Sequence, residues 1–217
     1  SKENRRHFSW KRANPIGSLM HLKKYPPIRG LAVCILLVYI AAHAVMSNWS
    51  YFGMYRFGWD EKMVGISLGV VGLLVGLVQA GLTRVINPKL GNEKTVYIGL
   101  ALYSVGMLLF GIATQTWMMF LFLIPYCLGG IAQPAIQAVM AGHVPPNEQG
   151  ELQGGMTSLM SLAAIIGPLL MNNLFFFFTH DEAPMHLPGA PFLLASVLMA
   201  VSAVIAYKTL HQKKIFA

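Results

Sequence analysis

"HVPPNEQGELQGGMTSLMSLAAIIGPLL", His143–Leu170, opens on prolines and acids, turns glycine-rich, and then runs apolar with Gly167-Pro168 inside the run. A buried helix in water needs neither so many small residues nor an internal proline. In hydrocarbon both make sense. Helices associate there by close packing at small residues and by interhelical hydrogen bonds, and neighbouring groups can satisfy a carbonyl freed by proline. The reading of this stretch therefore depends on the solvent, and composition decides the solvent.

Of the 217 residues, 55% are hydrophobic and 11% charged, against roughly 25% charged in a soluble domain. Crossing a bilayer takes about 20 apolar residues. Stretches of that order are Leu31–Tyr55, Met63–Thr83, Thr95–Thr114, Trp117–Gly142, Leu152–Phe178 and Pro191–Tyr207. The separators Arg56–Lys62, Arg84–Lys94, Ala113–Trp117, His143–Glu151 and Thr179–Gly189 carry the charges and turn residues. None has room for a soluble domain. The chain reads as an all-α membrane protein with six transmembrane helices.

The formal charge of +8 follows the same plan. Counting outside the spans, one side of the membrane holds fourteen Lys and Arg and the other only Arg56 and Lys62. The positive-inside rule puts both termini in the cytoplasm, so the basic excess calls for no nucleic-acid partner. Residues 1–30 read as a cytoplasmic basic linker, 31–210 as the six-helix domain and 211–217 as a cytoplasmic tail. The linker lacks the apolar core and cleavage site of a signal peptide. Its "NPIGSLMHLKKYPPI" (Asn14–Ile28) suggests a short surface-lying amphipathic piece, and more chain is expected upstream.

Polar side chains are costly within a bilayer unless they face protein or water. The first span puts Tyr39, His43, Ser47 and Ser50 on one face, with Asn48 and Tyr51 beside it. The fourth puts Tyr126, Gly130, Gln133 and Gln137 on one face, with Pro125 and Pro134 as kinks. In the second, Gly65, Gly69, Gly72 and Gly76 share a face that Gln79 and Thr83 continue. The fifth aligns Gly150, Gly154, Ser158, Ser161, Pro168 and Asn172 as a packing seam. Gly167-Pro168 reads either as passive packing or as a flexible point. The third and sixth spans, nearly free of polar side chains, are expected to face lipid. The first and fourth suggest a shared cavity.

No catalytic motif is present: no Gly-x-Ser-x-Gly, HExxH or CxxC, and no acid within any span. The chain is not expected to be an enzyme or to hold a cofactor. His180, Asp181, Glu182 and His186 could in principle bind a metal but read as solvated loop residues, so no metal site is expected. Cys34 and Cys127 read as small buried hydrophobes.

"RFGWDEKMVGISLGVVGLL" (Arg56–Leu74), "GGIAQPAIQAVMAGHVPPNEQGELQG" (Gly129–Gly154) and "SLMSLAAIIGPLL" (Ser158–Leu170) together resemble the tetracycline-efflux family of drug:proton antiporters in the major facilitator superfamily. The resemblance implies the C-terminal six-helix half of such a transporter, an N-terminal six-helix half as partner, and drug and protons as cargo. It also implies a multi-pass protein of the bacterial inner membrane, with the first, second, fourth and fifth spans lining the cavity or the interface between halves. Gly81, Arg84, Gly91 and Lys94 are similar to the superfamily's gating loop, with Thr83 where its aspartate would stand. Gln79 matches a glutamine the family keeps. Val75 and Tyr103 stand where tetracycline pumps carry a histidine and an aspartate.

The expected substrate and proton pathway comprises His43, Asn48, Gln79, Tyr126, Gln133, Gln137 and Asn172. His43 is the only His, Asp, Glu, Lys or Arg between the ends of the six spans. It reads either as a neutral ring bonded across a helix interface or as a group that titrates during transport. An exporter of another small metabolite, or a self-standing six-helix channel or scaffold, are the other functions the sequence allows.

Overall fold

The computed structural model describes residues 26–211, apart from the side chains of Pro26, Arg84, Asn87 and Pro88. The amphipathic piece expected before helix one, except its last three residues, most of the linker and the C-terminal tail lie outside the described residues. The helices are α1 (Pro26–Phe57), α2 (Glu61–Leu77), α3 (Thr83–Leu90), α4 (Asn92–Ile112), α5 (Thr116–Gly129), α6 (Ala132–Gly142), α7 (Gln149–Phe177) and α8 (Ala190–His211). They make six spans, each long and apolar enough to cross a bilayer. The second joins α2 to α3 through a π-turn, Val78–Leu82, and the fourth joins α5 to α6. The all-α, six-span expectation holds.

Helix ends follow local chemistry. Proline is well suited to a first helical turn, where its missing N–H has no partner to lose, and α1 takes in Pro26–Gly30, which the sequence reading gave to the linker. Asp60 caps α2, its Oδ1 accepting the Met63 N–H at 2.7 Å. Gly58 and Gly91, at φ 68° and 77°, make the turns at the two ends of the second span, where any Cβ would be strained. The separator expected over Arg84–Lys94 is a single residue, Gly91. The backbone of α3 stays helical through Asn87-Pro88, which had read as a turn.

Packing centres on four helices. α4 and α8 make extensive contact, and α1 lies against both α7 and α8. Between α4 and α8, Ser104 Oγ donates to the Ser196 carbonyl at 2.9 Å and Ser196 Oγ to the Ser104 carbonyl at 2.8 Å. Glycines let the backbones meet: a Cβ on Gly106 would lie 2.8 Å from the Tyr126 Cα and N, and one on Gly99 2.8 Å from the Ala132 N. The third and sixth spans therefore pack closely on each other, while Ile98, Val105, Leu108, Val197, Val201 and Val204 on their other faces stay exposed, as contact with lipid requires. Their pattern shows few polar groups because serine and glycine suffice for close helix contact.

The end of the bundle that the charge distribution predicts to face outward is filled with aromatic rings. Trp49 packs edge-on against Trp59 and Phe110, and Phe110 and Phe52 both meet Phe192. Trp49 Nε1 donates to Ser67 Oγ at 2.8 Å, and Trp59 Nε1 to Thr116 Oγ1 at 2.9 Å. These bonds tie the start of α2 to α1 and to α5.

Burial is uneven. The most apolar windows of the second and fifth spans are 17% and 22% buried, against 44–50% for the other four. α2 buries Val64 and Ser67. Gly65, Gly69, Gly72 and Gly76 have nothing within 4 Å of an added Cβ. Residues two apart on a helix stand about 200° apart, so anchoring Ser67 turns Gly65 and Gly69 outward. α7 likewise buries Leu152, Gly155, Met156, Leu159, Ala163, Gly167 and Met171. Gly154, Ser161 and Asn172 on the expected seam are exposed, and Gly150 meets nothing. The fifth-span row was read as a packing seam and the second-span glycines as a face of close approach, and within the described residues neither row meets a neighbouring helix.

Candidate functional site: an amide-lined cavity between the second and fourth spans

Three carboxamides expected on separate grounds meet in one place. Gln79, Thr83, Gln133, Pro134 and Gln137 line an open cavity of about 320 Å³, within the range of small-molecule sites, ~300–1,000 Å³. Both walls are irregular. The second span contributes its π-turn. The fourth is interrupted where Gly130 N–H bonds to the Cys127 carbonyl at 3.0 Å and Ile131 N–H to the Leu128 carbonyl at 3.3 Å, a tightening to i−3 bonds. Pro134 follows in the first turn of α6, where its missing N–H costs little. Pro125 sits inside α5, which continues unbroken to Gly129.

Gln133 and Gln137 are four apart on α6 and so share a face. The Gln133 amide donates to the Tyr39 hydroxyl, joining the cavity wall to the first span. Among the described residues Gln79 and Gln137 make no internal hydrogen bond, and no charged side chain lines the cavity. The cavity thus offers carboxamide donors and acceptors, a recognition surface for a ligand with several hydroxyl or carbonyl groups. The sequence reading included Tyr39 on the polar face but not as a wall of this site, and Thr83 both on the Gln79 face of the second span and as a replaced aspartate.

The other expected pathway residues lie apart from it. His43 packs on Gly167: a Cβ there would lie 2.7 Å from His43 Cγ and nearer still to Cδ2. No hydrogen bond to the ring is found among the described residues. Asn48 is fully buried, and neither its Oδ1 nor its Nδ2 has a partner. It lies near the same helical face as Cys34, whose thiol donates to the Ser202 carbonyl at 3.3 Å, and Phe52, which meets Phe192 of α8. Tyr126 sits among aromatic rings, 5.3 Å from Tyr103 and 5.4 Å from Phe110 between centroids. Asn172 is exposed on α7.

Of the gating-loop set, Gly81 and Lys94 are exposed, Gly91 forms the turn into α4, and the Arg84 side chain lies outside the described residues. Among the described residues no three His, Cys, Asp or Glu gather as a metal site, and His180 stacks on Phe176.

Comparison with known proteins places this architecture. Residues 12–215 match the Major Facilitator Superfamily. The chain is 32% identical over 174 residues to a class C tetracycline resistance protein of Escherichia coli, covering 80% of this chain and 44% of the relative. It is 38% identical over 144 residues to the class E protein of Escherichia coli, 66% of this chain and 36% of that one. Hippocampus abundant transcript-like protein 1 of Homo sapiens is 24% identical over 213 residues, covering 92% and 42%. The chain spans less than half the length of these relatives. Six apolar spans and a match along nearly the whole chain make it a multi-pass membrane protein of transporter rather than enzyme type, and it belongs to the Major Facilitator Superfamily.

Proposed function

We propose that the chain is the C-terminal six-helix half of a proton-coupled efflux antiporter for tetracycline-like or other drugs, working by alternating access. The observation that carries this is the amide-lined cavity, set between two irregular helices, a feature that transporter binding sites share. The open faces of the second and fifth spans support a partner body, since their glycines and exposed Leu73, Leu77, Ile165 and Leu169 are left uncovered by this half. An N-terminal six-helix half would cover them. The relatives' names concern tetracycline resistance, and the chain's shares of 44% and 36% of their lengths fit a half.

In this reading residues 1–30 are the central loop between halves, 31–210 the transmembrane domain and 211–217 the tail. Both termini face the cytoplasm of a bacterium, across its inner membrane. Gln79, Gln133 and Gln137 bind cargo. Tyr126 supports the wall from behind, Asn48 and Asn172 belong to the surrounding pathway, and Gly81, Arg84, Gly91 and Lys94 form the inner gate. His43 is the group of this half available to a proton-sensitive step, and Gly167-Pro168 the point at which α7 adjusts.

The test is reconstitution in proteoliposomes. Tetracycline uptake driven by a pH gradient is expected from the full-length protein and not from residues 1–217 alone. Gradient-driven drug uptake, or ion flux, from the isolated chain would favour a self-standing channel or carrier. Full-length protein that moves other amphiphilic drugs but not tetracycline would favour the exporter of another metabolite, a reading motivated by Val75 and Tyr103.

A further inference from the structure

The second span changes pitch beside the cavity. Between Leu77 and Thr83 the hydrogen-bond ladder widens into the π-turn Val78–Leu82. Thr83 closes it twice on one acceptor: its backbone N–H bonds to the Val78 carbonyl, and its hydroxyl donates to the same oxygen at 3.1 Å. A threonine within a regular helix back-bonds four residues away; here the reach is five, which the wide turn permits. Of the residues this span gives to the cavity, Gln79 lies within the widened turn and Thr83 directly follows it. One extra residue changes the phase between the two parts of a helix by about 100°. The π-turn therefore sets the cavity face against the outer end, which the Trp49–Ser67 bond fixes.

We propose that Thr83 is a positioning residue: its hydroxyl holds the π-turn that keeps the Gln79 amide aimed into the cavity opposite Gln133 and Gln137. This rests on the cavity being the cargo site. Without the hydroxyl, the span relaxes towards α pitch, and the face shared by Gln79 and Thr83 turns relative to the end that the Trp49–Ser67 bond fixes, away from the amides of α6. π-turns are rare and frequent at functional sites, and here a side chain of the span itself locks one.

Two readouts on the full-length protein separate the proposal from the reading beneath it. In the first, Gln79→Cys is labelled with a water-soluble maleimide and read against the same protein without that substitution; Cys34 and Cys127 of this chain are buried. Labelling is expected to fall severalfold on adding Thr83→Val and to persist with Thr83→Ser. Thr83→Ala, a second hydroxyl-free variant without the extra methyl, should act like Thr83→Val, which guards against a misfolding artefact. In the second, with Gln79 intact, tetracycline export by inverted vesicles should show KM raised about fivefold by Thr83→Val at nearly constant kcat, with Thr83→Ser close to the parent. Unchanged labelling in both hydroxyl-free variants overturns the proposal. Labelling that falls while KM stays constant overturns instead the assignment of the cavity as the cargo site.

Discussion

The ring of His43 lies across the bare Cα of Gly167, at the crossing of α1 and α7. The only imidazole between the ends of the six spans is thus held by the absence of a side chain on its neighbour. Pro168, next in sequence, leaves α7 continuous to Phe177, although its lack of an N–H frees the Ala164 carbonyl. Glycine at 167 serves close approach, and the case for a moving part rests on Pro168 alone.

Gly167→Ala should destabilise the protein by about 1–3 kcal/mol, the usual cost of overpacking. His43→Ala in the same chain should recover most of that loss, since the clash is with one ring. Thermal unfolding of the two single variants and the double variant in detergent measures the coupling. Additive losses would mean that the ring has room to move aside.

Glycines of the two kinds should respond in opposite ways. Gly106→Ala drives a methyl into the Tyr126 backbone and should cost about 1–3 kcal/mol or more. Gly72→Ala meets nothing within 4 Å and should stay within about 0.5 kcal/mol of the parent. Gly72→Leu is the sharper variant: the six-helix domain should still fold, while transport by the full-length protein falls because the face that the proposed partner half would cover is blocked. Unaltered transport would assign that face to lipid.

Tyr39→Phe removes the acceptor of the Gln133 amide. Interhelical hydrogen bonds in membranes average about 0.6 kcal/mol, so Tm should move little. Export should change more, with KM altered, because a freed Gln133 amide loses its fixed direction in the cavity wall. A clear drop in Tm with unchanged KM would leave the Tyr39–Gln133 pair a packing role only.

Asn48 presents the reverse case, a fully buried amide with neither polar atom paired. Removing an unsatisfied polar group while keeping bulk is neutral or stabilising. Asn48→Val should therefore leave Tm equal or higher. A loss of more than about 1 kcal/mol, measured as above, would show that the amide finds a partner in the working protein.

Six spans are readable from hydropathy because a bilayer fixes the length of its helices, and the amides are readable because a glutamine at that depth needs a reason. Gln79, Gln133 and Gln137 meet accordingly. Periodicity says which residues share a face, but not what that face meets: the Gly65–Gly76 row and the Gly154–Asn172 row both point away from the bundle. It also fails for the π-turn. "VQAGL" has no composition of its own, and the extra residue is fixed by a bond from Thr83 to Val78 that no spacing rule foresees. Serine and glycine in the third and sixth spans look too plain for a core, yet Ser104 and Ser196 join the two helices.

The second span also has an unusual suspension. A lone left-handed glycine sits at each end, Gly58 and Gly91, and few side chains hold its length. Its outer end is pinned, Ser67 by Trp49 and the Asp60 cap by its own first turn. Towards its inner end, among the described residues, Val78 is buried and Leu82 and Ile86 are only partly buried against the core before the turn at Gly91. A rod so mounted rolls about its own axis at little cost, because few contacts must break, and the roll is widest at the inner end. Such a crank would carry Gln79 and Thr83 past the fixed amides of α6 while the aromatic rings outside stay still.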